Sequence, residues 1–164
     1  MGNSAHLGGS ILTPLGPLSV TEEAGRIVKL GWRPVEGESS RLITEALRQL
    51  AAYFDQRLIW FDLPLDFGTG LHEKVRRAMA AIPFGDTLTY GDIARAVEAP
   101  AQAVGQACGA NPVPILIPCH RVLGAKTLGG FSAKGGVETM VWLLRHESAA
   151  GPPVIPPFLT GCSP

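Results

Sequence analysis

The sequence of 164 residues has little cysteine, no long apolar run and no net charge, and each shortage argues against a class of protein. Its three cysteines, Cys108, Cys119 and Cys162, are an odd number at irregular spacing without a C-x-x-C motif. This pattern argues against a disulfide framework and a structural zinc site. The longest apolar runs, such as residues 115–117, are too short to cross a bilayer, and no secretory signal opens the chain. We therefore expect a folded protein of the reduced cytoplasm, with no metal and no membrane segment.

The charge balance provides no general attraction toward nucleic acid. The chain has 14 Lys/Arg and 14 Asp/Glu, so its net charge is zero. Residues 1–69 carry six basic against eight acidic side chains, and residues 70–164 carry eight against six. This asymmetry of −2 and +2 permits DNA binding by the second half but does not predict it.

The apolar fraction of 46 % is sufficient for a core, and the length suits one domain or two small ones. Residues 1–10 show no hydrophobic period and are predicted to be a flexible arm. Residues 11–67 have the pattern of a small α/β domain. Within it, apolar runs at 17–20 and 26–32 predict a β-hairpin, and helical spacing over 40–54 predicts an amphipathic helix.

Residues 68–148 predict a second, mostly helical domain, and the proline-rich residues 149–164 predict a tail. The last helix of this domain is expected to turn Val137, Val141 and Leu144 toward the core. The fold class is therefore α/β, with a strand-hairpin-plus-helix domain followed by a mostly helical one.

Short helices with recognisable ends follow one another in the second domain. Thr69 is placed to cap the first helix, and Thr89 with Asp92 resembles a capping box for the second. Pro100 suits the first position of a third helix that runs to about Cys108. The last two helices form either a simple αα-hairpin or a helix-turn-helix, and their outline alone does not decide between them.

Cys119 is the residue with the clearest chemical potential. A cysteine after an aliphatic run such as 115–117 is usually a small core residue, but here His120 and Arg121 follow it directly. A thiol at such a polar boundary becomes nucleophilic if an imidazole takes its proton or a cation stabilises the thiolate. A carboxylate such as Glu147 could orient the imidazole. The residue types by themselves leave a nucleophile and a structural thiol equally open.

Residues 111–122, NPVPILIPCHRV, resemble the active-site signature of the O6-alkylguanine-DNA alkyltransferases, also called methylated-DNA–protein-cysteine methyltransferases. The resemblance includes the full P-C-H-R core and extends over roughly residues 11–147. Further matching segments are TPLGPL at 13–18, FG at 84–85, AVG at 103–105, GFS at 130–132 and WLLRHE at 142–147. This family resemblance implies an RNase H-like N-terminal domain and a winged helix-turn-helix-like second domain.

The resemblance also implies an activity, which is direct-reversal DNA repair in a single turnover. The alkyl group of O6-alkylguanine in DNA, and also of O4-alkylthymine, would move to the thiolate of Cys119 without any cofactor. His120 would take the thiol proton through a water, Glu147 would orient and polarise His120, and Asn111 would hold the turn before the cysteine. Such a relay predicts a thiol pKa below the ordinary value of about 8.5.

The implied partner is double-stranded DNA, bound through its minor groove with the target nucleotide flipped out of the duplex. Phe131 and Ser132 would line the pocket for the flipped base. Neither a membrane nor an obligate protein partner is implied. DNA contacts are implied for five residues, namely Tyr90, Gln102, Ala103, Gly105 and Arg121.

Two positions depart from the family pattern. Gln102 stands where the family usually has an arginine that fills the gap left by the flipped base. Because glutamine is shorter and uncharged, we expect it to support the flipped state less well. Phe131 stands where tyrosine is common, which removes a hydroxyl group from the pocket.

Two functions of other classes remain as alternatives. A non-catalytic sensor of alkylated DNA would recognise the lesion without removing it, but such proteins lack the acceptor cysteine that this sequence has as Cys119. A cysteine hydrolase using Cys119 and His120 would release its product repeatedly, whereas a thioether is stable to hydrolysis. Alkylation of Cys119 or turnover of an ester distinguishes these alternatives.

Overall fold

The computed structural model describes residues 6–124 and 136–148, and the chain divides into two compact units, Met1–Asp66 and Phe67–Pro164. The first unit is a three-stranded antiparallel sheet in the order β1-β2-β3 with one helix. Its elements are β1 (Leu7–Thr13), β2 (Gly16–Glu23), β3 (Arg26–Gly31) and α1 (Arg41–Phe54). The predicted hairpin and helix are confirmed.

The strand β1 corrects the prediction of a flexible arm over residues 1–10, because residues 7–10 pair with β2. Its first residues include two glycines and therefore lack the alternation that marks a strand. A Cβ on Gly9 would approach side-chain atoms of Ile43 and Leu47 to 2.9 and 3.0 Å. A small residue is thus needed where α1 packs on the sheet. Because glycine meets this tertiary requirement, the strand lacks the alternation of apolar and polar residues by which sequence patterns identify strands.

The helix α1 begins and packs as its sequence predicts. The Ser40 hydroxyl accepts a hydrogen bond from the amide of Ile43 at 3.0 Å, which caps the first turn. Its buried face comprises Ile43, Ala46, Leu50 and Tyr53, all fully buried. Each large apolar side chain buried in this way contributes about 1.5–3 kcal/mol relative to exposure.

The second unit is mostly helical, as predicted. Its elements are α2 (Gly70–Ala80), β4 (Leu88–Thr89), α3 (Tyr90–Val97), α4 (Ala101–Gly109), a 3₁₀ turn (Cys119–Arg121), β5 (Val122–Leu123) and α5 (Val137–Ser148). The short strands β4 and β5 pair in parallel. No helix among the described residues is long and apolar enough to span a membrane.

The helices α3 and α4 are joined by a tight turn. The predicted capping box is present, because the Asp92 amide donates to the Thr89 hydroxyl and the Thr89 amide donates to the Asp92 carboxylate, at 3.0 and 2.9 Å. Glu98 ends α3 in the left-handed region, and Pro100 is the N-cap of α4. Thr69 lies at the N-cap of α2 with extended backbone, but its side chain makes no capping hydrogen bond within the described chain.

The buried face of α5 differs in part from the predicted one. Leu144 is buried as predicted, but Val137 is 48 % exposed and Val141 is half-buried, and the helix also buries Met140, Leu143 and Glu147. Two apolar stripes overlap on this helix, and spacing alone cannot choose between them. The stripe that faces the core is the one that contains Glu147, and it places this carboxylate next to His120 and Arg121.

Candidate active site

The backbone before Cys119 is bent by two consecutive tight turns. Ile115 has a φ of +71°, and the amide of Leu116 donates to the carbonyl of Pro114 at 2.8 Å. This is a γ-turn in a conformation that β-branched residues rarely adopt. The Cys119 amide then donates to the Ile117 carbonyl at 2.8 Å across Pro118, whose φ and ψ are −79° and 70°. The segment before Cys119 is therefore strained at Ile115, and hydrogen bonds fix its backbone up to the 3₁₀ turn that begins at Cys119.

Asn111 joins this segment to the end of α4. Its buried side chain donates from Nδ2 to the Ile117 carbonyl at 3.0 Å and accepts from the Val113 amide at 3.1 Å. Its own amide donates to the Cys108 carbonyl at 3.2 Å. Leaving a buried polar group unpaired costs about 1–3 kcal/mol, so Asn111 fixes the path between the two elements.

His120, Glu147 and Arg121 form a buried charged network. His120 is fully buried, and its Nε2 lies 2.6 Å from Oε2 of Glu147. Arg121 holds the same carboxylate with two hydrogen bonds, from Nε at 2.8 Å and from Nη2 at 2.9 Å. Its Nη1 donates to the Ile82 carbonyl at 2.7 Å. Both oxygens of Glu147 are therefore engaged by charge-assisted contacts.

The protonation states follow from burial and from these contacts. Burial disfavours the charged carboxylate of Glu147, but its contacts with His120 and Arg121 outweigh burial and hold its pKa well below the usual range. Burial lowers the pKa of His120, although Glu147 opposes the shift. An ionised carboxylate can only accept a hydrogen bond, so neutral His120 donates from Nε2 and carries its lone pair on Nδ1.

The Cys119 thiol does not have the lowered pKa that its neighbours in the sequence predict. Cys119 is only 7 % exposed, and burial raises the pKa of its thiol to about 11, with a hydrogen bond from Asn111 opposing the shift. The prediction was wrong because burial outweighs the adjacent polar residues. Cys119 is thus a neutral thiol at neutral pH, and a base must take its proton during any reaction.

Arg121 corrects a second expectation, which was a contact with DNA. It is only 6 % exposed, and its guanidinium is bound by Glu147 and by the Ile82 carbonyl. One sequence feature indicates this pairing, since Arg121 and Glu147 are opposite charges beside residues that must be buried. Cys108, on α4, is also buried.

The remaining predicted residues lie on α3 and α4 or outside the described chain. Tyr90 is the first residue of α3 and is half-buried. Gln102 is exposed in the first turn of α4, where Ala103 and Gly105 are half-buried. Phe131 and Ser132 lie outside the described residues. Across residues 6–124 and 136–148, no group of three acidic, His or Cys side chains is placed to hold a metal ion.

Two family models match almost the whole chain. Residues 8–67 match 6-O-methylguanine DNA methyltransferase, ribonuclease-like domain, and residues 70–149 match 6-O-methylguanine DNA methyltransferase, DNA binding domain. The methylated-DNA–protein-cysteine methyltransferase of Mycobacterium tuberculosis is 42 % identical over 148 residues, which cover 88 % of this chain and 84 % of the relative. The constitutive methylated-DNA–protein-cysteine methyltransferase of Bacillus subtilis is 37 % identical over 150 residues, covering 82 % and 91 %.

Solved structures show the same similarity. The crystal structure of Mycobacterium tuberculosis OGT in complex with DNA has a TM-score of 0.75 and 35 % sequence identity to this chain. The similarity covers 89 % of this chain and 95 % of that one.

Proposed function

Because this chain belongs to the family of methylated-DNA–protein-cysteine methyltransferases, we propose that it repairs DNA by moving an alkyl group from O6-alkylguanine onto Cys119. O4-alkylthymine is a second substrate of the same chemistry. The observation that carries the proposal is the neutral His120 next to Cys119 in the chain. Its Nε2 is hydrogen-bonded to Glu147, and Arg121 holds the same carboxylate. No cofactor takes part, and the reduced cytoplasm is the setting that keeps the acceptor thiol intact.

The reaction needs a base because the thiol is neutral. His120 takes the Sγ proton of Cys119 through a water molecule, and the sulfur attacks the alkyl carbon. An S–C bond forms as the C–O6 bond breaks, the electron pair goes to the guanine, and the proton taken up by His120 neutralises it. Glu147 stabilises His120 while it carries the proton. The product thioether is stable, so each molecule reacts once.

Arg121 acts in this reaction as a positioning residue for Glu147. Its two hydrogen bonds fix the orientation of the carboxylate and keep it ionised in a buried site. An ionised and correctly oriented Glu147 determines which nitrogen of His120 carries the proton before the reaction. Arg121 therefore acts on His120 through the orientation of Glu147, although its own charge lowers the pKa of His120.

The exposed side of α4 is the proposed DNA-binding surface, docked in the minor groove. This helix has the sequence AQAVGQACG, which contains no charged residue. Glycine in a helix costs about 1 kcal/mol relative to alanine, and a Cβ at Gly105 would meet no atom of the described residues within 4 Å. Internal packing thus gives no reason for this glycine, whereas close approach of a partner does. Tyr90 on the neighbouring α3 would rotate the target nucleotide.

The test of the proposed function is a mass spectrum of the intact protein after incubation with excess O6-methylguanine duplex. We expect the mass to rise by one methyl group per molecule and then to remain constant, because the thioether is not regenerated. Peptide mapping should place the methyl group on Cys119. Continued turnover, no mass change, or a methyl group on Cys108 or Cys162 would contradict the proposal.

Gln102 gives a prediction about base flipping. Flipping costs a few kcal/mol of stacking and pairing, and a side chain that fills the gap recovers part of this energy. Arginine has a longer apolar stem and a planar charged head, so Gln102→Arg should accelerate transfer from duplex by roughly tenfold, or about 1.4 kcal/mol. Transfer from free O6-benzylguanine should change little, because the free base needs no flipping. Single-turnover rates on both substrates measure the difference, and an equal gain on both would exclude Gln102 as the flipping residue.

A further inference from the structure

Arg76, in the middle of α2, is a buried arginine that pairs with no carboxylate of the described residues. It is 8 % exposed, and none of the ion pairs among the described residues includes it. Its Nε has no hydrogen-bond partner within the described chain. A buried charge is costly unless other groups compensate it, so the surroundings of this guanidinium need an explanation.

The compensating group is the C-terminal end of α4. Nη2 of Arg76 lies 3.5 Å from the carbonyl oxygen of Ala110, which is the C-cap of α4, and 3.5 Å from Nδ1 of His72. The last carbonyls of a helix have no partner within the helix and carry its partial negative charge. The last turn of α4 contains no basic residue of its own. Arg76 therefore supplies from α2 the cation that α4 lacks.

The chain around Gly68 is shaped to admit this guanidinium. A Cβ on Gly68 would lie 2.6 Å from Nη1 of Arg76, closer than real Cβ contacts allow. Gly68 also has a φ of +79°, a conformation that favours glycine. A side chain at position 68 would therefore require the Arg76 guanidinium to shift.

Ala110, whose carbonyl contacts Arg76, directly precedes Asn111, which fixes the backbone before Cys119. Asn111 follows directly and binds the Ile117 carbonyl, which also accepts the hydrogen bond of the Cys119 amide. We propose that Arg76 is a positioning residue for Cys119, because its charge fixes the end of α4 and with it the Asn111 turn. This inference rests on the proposed alkyl transfer to Cys119.

The test compares two substitutions that separate charge from packing. Arg76→Met keeps an apolar stem but removes the charge, and Arg76→Lys keeps the charge. The matched control is Arg77→Met on the same helix, where the side chain is 60 % exposed and pairs with Glu73. Single-turnover transfer from free O6-benzylguanine is measured, because this substrate reports on Cys119 without base flipping.

We expect Arg76→Met to slow transfer by roughly tenfold and Arg76→Lys to stay within about threefold of the wild type, where tenfold corresponds to about 1.4 kcal/mol in the barrier. Arg77→Met should react at the wild-type rate. If Arg76→Met reacts as fast as Arg76→Lys, Arg76 only fills space and the inference is overturned. If the wild type itself transfers no alkyl group to Cys119, the proposed function fails instead.

Hydrogen exchange gives a second measurement that is independent of activity. The Asn111 and Val113 amides bond to Cys108 and to the Asn111 side chain. Arg76→Met should accelerate exchange at these two amides more than at the amides of α1, and Gly68→Ala should do the same by displacing the guanidinium. Unchanged exchange at both amides in a folded Arg76→Met protein would overturn the inference.

Discussion

Cys119→Ser should abolish alkyl transfer completely while the protein still binds duplex DNA. The thiol of Cys119 already has a pKa raised to about 11 by burial, so its activation depends on His120. A serine hydroxyl is a much weaker acid and a poorer nucleophile, and neutral His120 cannot deprotonate it to a useful extent. Binding should persist because Cys119 is buried, whereas the proposed DNA-binding surface is the exposed side of α4.

Transfer is measured by mass spectrometry with O6-methylguanine duplex, and binding by fluorescence anisotropy with an undamaged duplex. Cys108→Ser is the matched control, since Cys108 is also a buried thiol and its replacement introduces the same hydroxyl into the core. This control should transfer the alkyl group at the wild-type rate. Residual transfer by Cys119→Ser, or complete loss in Cys108→Ser, would show that another group accepts the alkyl group.

The second large effect on the transfer rate is expected from removing the Glu147 carboxylate, which is hydrogen-bonded to His120. Glu147→Gln alone would leave Arg121 as a buried charge without its partner, which typically costs about 3–5 kcal/mol of stability. The double variant Glu147→Gln with Arg121→Met removes both charges, and replacing a buried ion pair as a whole is often neutral for stability. We expect this double variant to fold and to transfer the alkyl group about 10²- to 10³-fold more slowly, within the range of general base catalysis.

The measurement is the single-turnover rate, with the midpoint of thermal unfolding as the control for folding. Arg121→Lys, which keeps a cation next to Glu147, should lose much less of the rate than the double variant. If the double variant folds and reacts as fast as the wild type, the carboxylate does not support His120 and the relay is wrong.

The pH dependence of the wild type provides a further criterion for the same relay. Burial lowers the pKa of His120 below its ordinary value of 6.5, so the neutral base persists as the pH falls through that value. The transfer rate should therefore be level from neutral pH to below 6.5 and should decrease only at lower pH, where His120 becomes protonated. A decrease centred above pH 6.5 would contradict the assignment of His120 as a buried neutral base.

Local sequence patterns were sufficient for most of the fold. The Thr89–Asp92 capping box, the α1 helix after Ser40 and the hairpin of β2 and β3 all depend on interactions within a few residues, and the structure contains each of them. The strand β1 was missed because its Gly9 is required by packing against α1. The buried face of α5 was predicted correctly only at Leu144, because two apolar stripes overlap on this helix and the contacts of Glu147 select between them.

For the site, the sequence by itself determined which residues carry reactive groups, because the run from Asn111 to Arg121 places an amide, a thiol, an imidazole and a guanidinium on one short segment. Only the tertiary structure decided the burial, the protonation and the partners of these groups. It buries Cys119 and raises its pKa to about 11, and it turns Arg121 inward to Glu147. It also sets Arg76 against the end of α4, although 34 residues separate Arg76 from Ala110. A pKa depends on the solvent and charges that surround a group, and these are brought together by residues distant in the chain.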